Sequence, residues 1–501
     1  MKPRLFKLTA SVATALVLSG CASVNFDQAV SETNQIASAF TSGQLALSQT
    51  AAQNAARSKL ASDLLSKPLS SDDAIQLALV NSPALQTLLA QSWADMSFAS
   101  QAGRISNPIL KFERVTYKDE LELGRILSFG LLDLLTLPRR QAMAQSQIEQ
   151  GKLQLSANVV EQVTQVRQAW VRAVAASQVL QHAEQINTAA EASAELAKRM
   201  QQVGNFNKLQ RARQQVFYAD STAGLAAAQH SALAAREELV RQLGLTDAQT
   251  KQLKLPERLP DLPKDARSTS QVNSTATDQR LDVQLARGQL DAAGKAQNLN
   301  LLTSLVDVEL DILRSTTFEN DGGVGRAFAK RGYELGIRLP IFDWGNAKRD
   351  AMNAQSLAAA NRYESTVRSA TSQLRESYSA YRTSYDVARH YRDEIVPLRK
   401  LMAEENVLRY NGMLIGVFEL LADTRDQIRS VVTAINAYQQ FWLADAALSA
   451  SMIGKPTGLQ MSAPAAGGGE KPGHLITDRV KKHHEQQKKL FSRCRDYHRS
   501  C

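Results

Sequence analysis

Val306-Asp307-Val308-Glu309-Leu310-Asp311-Ile312 alternates apolar and acidic side chains without a break. A period of two puts the apolar groups on one face of a strand and the carboxylates on the other. A second run of this kind, Tyr333-Glu334-Leu335-Gly336-Ile337-Arg338-Leu339, follows a loop that includes Asp321-Gly322-Gly323-Val324-Gly325. Two earlier segments match them: Ile109 to Val115, and Leu121 to about Phe129, joined by a tight turn at Tyr117-Lys118-Asp119-Glu120. Such strands fit a transmembrane barrel with one face in lipid and one in water. They fit a half-buried soluble sheet as well.

The neighbouring segments favour the barrel. Each strand pair precedes a very long helical stretch, from Pro138 to about Val203 in the first case and from about Gly345 to Tyr410 in the second. Each is about 100 Å long at 1.5 Å per residue. Pro138 suits a first helical turn, and Pro397 predicts a local bend. Val159, Val163, Val166, Trp170, Ala173, Ser177 and Leu180 follow a 3-4 alternation, with Val160 and Val174 starting a second stripe. In the second rod Val367, Leu374, Tyr381, Ala388, Ile395 and Met402 recur every seven residues, with Tyr378 and Tyr385 at the other seam position. Two adjacent stripes let a helix pack against a neighbour on each side, so a ring of helices can close.

Each rod ends at a glycine-marked turn, Val203-Gly204-Asn205-Phe206 and Asn411-Gly412-Met413-Leu414-Ile415-Gly416. A shorter helix then returns, to about Gly244 and Gly454. Separate helices from Asp72 to Gly103, with Ser70 as N-cap, and from near Thr277 to about Asn300 stack on these returns to match the height of the rods. The halves are copies, joined by a proline-rich connection from Leu255-Pro256 to Leu262-Pro263 that reads as a linker draped over the surface. Four strands cannot close a barrel, because about eight barely enclose side chains. The strands therefore predict an oligomer, and a trimer with twelve strands is the simplest one.

Only 6% of the residues are aromatic, too few large side chains for a thick globular core and suited to long helices packed through small residues. The net charge of +10 does not mark a nucleic-acid footprint. With the three N-terminal positives and the tail's surplus of five set aside, about +2 is left for the body. Lys2, Arg4 and Lys7 precede an apolar run from Leu8 to Leu18, too short to span a bilayer, which ends in Leu18-Ser19-Gly20-Cys21. That pattern predicts a lipoprotein signal cut before Cys21, with a covalent lipid on Cys21, and Ala22 favours the outer membrane. Cys494 and Cys501 lie in the tail, so the body has no disulfide.

The layout resembles the TolC family of outer-membrane efflux proteins along nearly the whole mature chain. Ala78-Leu79-Val80-Asn81-Ser82-Pro83-Ala84-Leu85 resembles its opening helix signature. Leu339-Pro340-Ile341-Phe342-Asp343-Trp344-Gly345 resembles its strand-to-helix junction. Arg409-Tyr410-Asn411-Gly412 with Glu419-Leu420-Leu421 resembles its second hairpin tip. The resemblance implies a mainly α chain with a membrane β-barrel. Long antiparallel coiled-coil helices would form a trimeric α-helical tunnel, and four strands per chain would contribute to a twelve-stranded β-barrel. It implies a homotrimer that is the exit duct of a tripartite efflux pump, with a periplasmic adaptor protein, an inner-membrane efflux transporter and outer-membrane lipid as partners. The expected location is the outer membrane, lipid-anchored and extending into the periplasm.

Family members narrow the tunnel with inward acidic residues on the last return helix. Glu419 holds the first such position; the second falls on Ala422, with Asp423 beside it, so the implied gate residues are Glu419 and Asp423. The implied adaptor contacts are Gly204, Asn205, Phe206, Gly412, Met413 and Leu414 at the tips. The boundaries are a signal peptide at 1–20, a first repeat at 21–245, a linker at 246–276, a second repeat at 277–455 and a basic, disordered tail at 456–501.

The remaining candidates for chemistry fall short. His483-His484-Glu485-Gln486-Gln487 lacks the second histidine of a zinc-protease helix, and His182, His230 and His390 are scattered. Gly322-Gly323-Val324-Gly325 follows a strand but opens no helix, which fits an external loop and not a phosphate loop. No catalytic constellation, cofactor or metal site is expected. The alternative function is a periplasmic coiled-coil scaffold lipoprotein without a membrane barrel; an enzyme is a more distant third.

Overall fold

The computed structural model describes residues 25–455 apart from 39, 42, 119, 270, 271, 273–278, 304–306, 322, 323, 339 and 340. Residues 1–24 with Cys21, residues 456–501 with Cys494 and Cys501, Asp119, Thr277, Val306, Gly322-Gly323 and Leu339-Pro340 lie outside the described residues. The first repeat contains α1 (Phe26–Ala37), α2 (Ala51–Leu65), α3 (Ser71–Asn81), α4 (Pro83–Ala102), β1 (Ile109–Tyr117), β2 (Glu120–Gly130), α5 (Leu131–Gln202) and α6 (Lys208–Leu243). After a short α7 (Asp247–Gln252), the second repeat contains α8 (Leu281–Thr303), β3 (Asp307–Asp321), β4 (Val324–Arg338) and α9 (Asn346–His390). It continues through a π turn (Tyr391–Ile395), α10 (Val396–Asn411) and α11 (Val417–Ile453).

The rods are as long as their sequence pattern predicts, with two corrections. The first begins at Leu131, not Pro138, because β2 passes into it with only Gly130 as cap. At 72 residues it spans about 108 Å. Pro138 sits inside, where it forgoes a single backbone hydrogen bond to Leu134. In the second rod the expected disturbance at Pro397 takes the form of the π turn just before it, a common response of a helix to a residue that cannot donate.

The helix expected from Asp72 to Gly103 is two, α3 and α4, broken at Ser82-Pro83. A residue before proline is pushed out of the α region, and Ser82 has ψ 119° while Pro83 opens the next helix. Two further helices, α1 and α2, add to the elements expected from the sequence.

The return helices stop where the glycines predict. Gly244 and Gly454 both adopt the left-handed conformation, at φ +65° and +97°. Each also lets its helix end approach the short helix of its repeat. A Cβ on Gly244 would lie 2.4 Å from Pro83 Cδ at the start of α4, and one on Gly454 would lie 2.7 Å from the Leu281 nitrogen at the start of α8. The expected stacking of short helix on return helix is therefore present in both repeats. Asn81 fastens the first joint by donating to the Gly244 carbonyl at 2.9 Å. Beside the second, Arg280, 2% exposed, ties the start of α8 to α9 by donating to the Ala370 carbonyl at 3.0 Å, and it pairs with Asp282 at 2.7 Å.

The first rod carries the core. Val159, Val160, Val163, Val166, Trp170, Ala173 and Val174 are buried against α1–α4, the end of α6 and α11, and Trp170 Nε1 donates to the Leu69 carbonyl at 2.8 Å. The second rod uses its tyrosines differently from the heptad reading. Tyr385 donates to the Pro263 and Lys264 carbonyls at 3.1 and 2.9 Å, and Tyr378 donates to the Arg267 carbonyl at 3.2 Å. The Arg267 N–H donates to Tyr381 Oη at 3.1 Å. The linker is therefore strapped to α9 and not merely draped. Its Leu262 and Val272 join Tyr381, Tyr385, Phe441 and Leu448 in a second cluster.

The strands form one antiparallel sheet in the order β1-β2-β3-β4. β3 and β4 each run to 15 residues, well beyond the seven-residue alternating segments. Ser315, Thr316, Thr317 and Phe318 of β3 continue the ladder in the same register, against Lys330 back to Ala327 of β4.

Candidate functional site

The residues singled out in the sequence fall at three places: the two faces of the sheet, the hairpin tips and the start of α11. Cross-strand neighbours share a face, so the register sorts the sheet. One row is Leu110, Leu127, Ile312 and Tyr333, and the next toward the helices contains Phe129, Leu310 and Leu335. This face is apolar and open: Phe112 is 75% exposed and Tyr333 82%. The opposite face carries Glu113, Glu122, Glu309, Asp311, Lys330 and Glu334. A concavity of about 280 Å³ opens chiefly on it, lined by Glu113, Val115, Glu122, Ile126, Ser315 and Lys330, with Arg125, Arg314 and Arg331 of the alternate register also reaching its wall. The sheet thus curves with its charged face inward. Among the described residues β1 and β4 pair on one side only, which leaves both outer edges free.

At the tips, Gly204 takes the left-handed position (φ +82°), and the Asn205 N–H closes the turn on the Met200 carbonyl at 2.9 Å. In the second tip the equivalent position is Met413 (φ +57°), with the Leu414 N–H closing on the Arg409 carbonyl at 2.9 Å. Gly412 has φ −81° and needs no glycine. The glycine shared by the two sequence turns therefore does not occupy the same place in the two structures. Met413 is 93% exposed, and Leu414 is exposed beside it. The ring of Phe206 packs tilted against Phe418, with centroids 4.6 Å apart, so this side chain joins the two hairpins of one protomer.

Glu419 lies in the first turn of α11, exposed, on the same face as Ala422, Asp426 and Arg429. Among the described residues its carboxylate has no ion-pair or hydrogen-bond partner. Asp423 is half-buried and accepts a hydrogen bond from the Asn406 amide of α10. The two acids are therefore not an equivalent pair: one is open and the other is tied inside its own hairpin.

Arg425, which no sequence motif singles out, lies with its guanidinium 4.1 Å from the centre of the Phe217 ring on α6. Burial pulls its pKa below the usual arginine range. This contact bridges the first return helix to the second, and no local pattern announces it.

A charged cluster lies among α5, α11 and the linker. Asp445 of α11 pairs with Arg267 of the linker at 3.0 Å. Burial pushes the Asp445 carboxyl up, opposed by Arg267 and by Arg167 of α5. No group of three His, Cys, Asp or Glu able to hold a metal occurs among the described residues. No described helix is long and apolar enough to cross a membrane.

With this geometry in place, residues 272–402 match the family described as outer membrane efflux protein. Among solved structures, the CmeC outer membrane channel of Campylobacter jejuni aligns with a TM-score of 0.64 at 14% identity, covering 84% of this chain and 92% of that one. The outer membrane protein VceC of Vibrio cholerae aligns at 0.61 with 16% identity, covering 80% and 96%. The open state of the MtrE outer membrane channel of Neisseria gonorrhoeae aligns at 0.58 with 17% identity, covering 80% and 91%. No curated protein matches the chain. At these identities the structural likeness speaks for the fold alone, and the sequence match covers residues 272–402.

Proposed function

Starting from an outer membrane efflux protein domain at residues 272–402 and the fold of outer-membrane channels, we infer that three copies of this chain form the exit duct of a tripartite efflux pump. A single observation carries the reading: a four-stranded sheet with an apolar face, a charged concave face and two unpaired edges. In a bilayer every backbone N–H and C=O needs a partner, so an open sheet edge cannot face lipid. Pairing β4 of one protomer with β1 of the next removes both edges, and three copies give the twelve strands of a closed barrel. The rods would then line a periplasmic tunnel, and exposed apolar residues of α10 and α6, such as Leu398, Leu408 and Val216, supply faces for neighbouring protomers.

The duct moves substrate without bond chemistry. A periplasmic adaptor would grip the tips at Gly204, Asn205, Gly412, Met413 and Leu414, while Phe206 holds the two hairpins together. Three Glu419 carboxylates around the axis would form an acidic ring that attracts cations and resists close approach. Asp423, tied to Asn406, supports the hairpin instead of lining the axis. Lipid on Cys21 would be a secondary tether, since a single lipidated site anchors less firmly than a closed barrel. The inner-membrane transporter, not the duct, would choose the substrate.

The test is membrane fractionation of a Cys21→Ala variant given an ordinary secretory cleavage site. The barrel keeps it in the outer membrane. Complete release into the soluble periplasm would leave a coiled-coil scaffold as the better reading.

A further inference from the structure

The apolar face of the sheet contains four charged residues, and all are arginines. Among the described residues of that face, Arg114, Arg125, Arg314 and Arg331 are the only ionisable groups other than Tyr333. The register sets Arg125 opposite Arg314, and Arg314 opposite Arg331, so three like charges share one cross-strand row. All are exposed, and none has a hydrogen-bond or ion-pair partner among the described residues. Like charges placed directly opposite one another oppose pairing, and arginine on a lipid-facing surface is costly near the bilayer midplane and nearly free at its edge. The row therefore needs both a particular depth and a counter-charge.

Geometry supplies the depth. From Arg125 to Gly130, β2 covers about 17 Å, or about 13 Å along the membrane normal at a tilt near 40°. The first helical residues of α5, down to exposed Leu135, add about 7 Å. Phe342, 99% exposed, and Trp344 lie at the corresponding junction between β4 and α9 and mark the periplasmic border. The apolar band below the row is thus about 20 Å deep, close to the roughly 25 Å of an outer-membrane barrel. An arginine side chain can bridge the remaining few ångströms by reaching outward. The row lies at the level of the outer-leaflet headgroups.

We propose that Arg125, Arg314 and Arg331, with Arg114 one row further out, form a girdle that binds the phosphate groups of outer-leaflet lipids. The inference rests on the barrel reading. Phosphate fits because the guanidinium fork matches its oxygens in a bidentate way and because one dianion can neutralise two members of the row. On the opposite face Glu113, Glu122, Glu309, Asp311 and Glu334 outnumber Lys111, Arg326 and Lys330, so that face is net negative and competes poorly for the same ligand.

The test uses the full trimer in mild detergent, with native mass spectrometry of bound lipid. Equal amounts of bis-phosphorylated lipid A and its dephosphorylated form are offered, with millimolar inorganic phosphate in a parallel arm. The wild type should retain the phosphorylated lipid at least tenfold over the other, and free phosphate should not displace it. An Arg125→Gln, Arg314→Gln, Arg331→Gln triple variant should bring the ratio near one, and Arg331→Gln alone should lower it severalfold. Equal retention of both lipids, an unchanged ratio in the variants, or displacement by free phosphate overturns the girdle. Planar-bilayer conductance of the same preparations separates the two claims. Channels without lipid selectivity remove the girdle alone, whereas a wild type that forms no channels removes the barrel and the girdle together.

Discussion

Replacing Gly244 by alanine attacks the joint on which the first return helix rests. At φ +65° an L side chain costs about 1–2 kcal/mol in backbone energy. The new Cβ would also meet Pro83 Cδ at 2.4 Å and Ser82 Cα at 2.9 Å, neither of which is the end of a flexible side chain. Relieving such an overlap in a packed region costs about a further 1–3 kcal/mol, so the expected loss is about 2–5 kcal/mol. Gly454→Ala meets the Leu281 nitrogen at 2.7 Å and Arg280 Cβ at 2.9 Å, at φ +97°, and belongs in the same range. Gly204→Ala is the control: φ is +82°, but nothing lies within 4 Å of its Cβ, so only the backbone cost of about 1–2 kcal/mol applies. Urea unfolding of the three variants, followed by helical circular dichroism at matched protein and detergent concentration, reads the difference. Gly244→Ala should be less stable than Gly204→Ala by at least about 1 kcal/mol. Equal loss in the two would show that the close approach to Pro83 is not what the glycine is for.

Met413→Gly should stabilise the second tip by about 1 kcal/mol, since it removes a left-handed non-glycine residue that is 93% exposed and gives up little packing; an unchanged or lowered unfolding midpoint contradicts it. The Lys152 ammonium, 2.8 Å away, holds the Glu32 carboxyl below the usual carboxylate range through a hydrogen bond that ties α1 to α5. Its stabilisation is present above the unfolded value near 4.3 and is lost as pH falls through the depressed folded value, so Glu32→Gln should cost about 0.2–1 kcal/mol at pH 7 and almost nothing near pH 2. A pH-independent difference would refute the pairing. Glu419→Ala should raise single-channel conductance or weaken block by divalent cations in planar bilayers, and no change in either would remove Glu419 from the constriction.

The strands and rods were legible because their signals are local. Alternation at Val308-Glu309-Leu310-Asp311 and the valine stripe from Val159 to Val174 each need only one element to be recognised. The caps at Gly244 and Gly454 were legible for the same reason. The sequence misled where two signals compete. Pro138 looks like a helix start, yet the strand hands over directly at Gly130, and Ser82-Pro83 divides a helix whose apolar period continues across it. Helix α2 has almost no apolar stripe, although the Thr50/Gln53 capping box was there to be read. Tyr378, Tyr381 and Tyr385 keep heptad spacing but use their hydroxyls on the linker, which periodicity cannot show. At the site, exposure of Glu419 and the tips follows from their positions in the hairpins. The Asn406–Asp423 bond, the Arg425–Phe217 contact and the arginine row exist only once distant segments are brought together.

The central claim is that β1 and β4 are edges only in the single chain. Hydrogen exchange resolved to single amides in the detergent-solubilised assembly tests it directly. A closed trimeric barrel predicts that every amide from Leu110 to Thr116 of β1, and from Arg326 to Ile337 of β4, is protected as strongly as those of the central strands β2 and β3. Alternate amides of β1 and β4 exchanging at solvent rates, while β2 and β3 stay protected, would show an open four-stranded sheet and contradict the account.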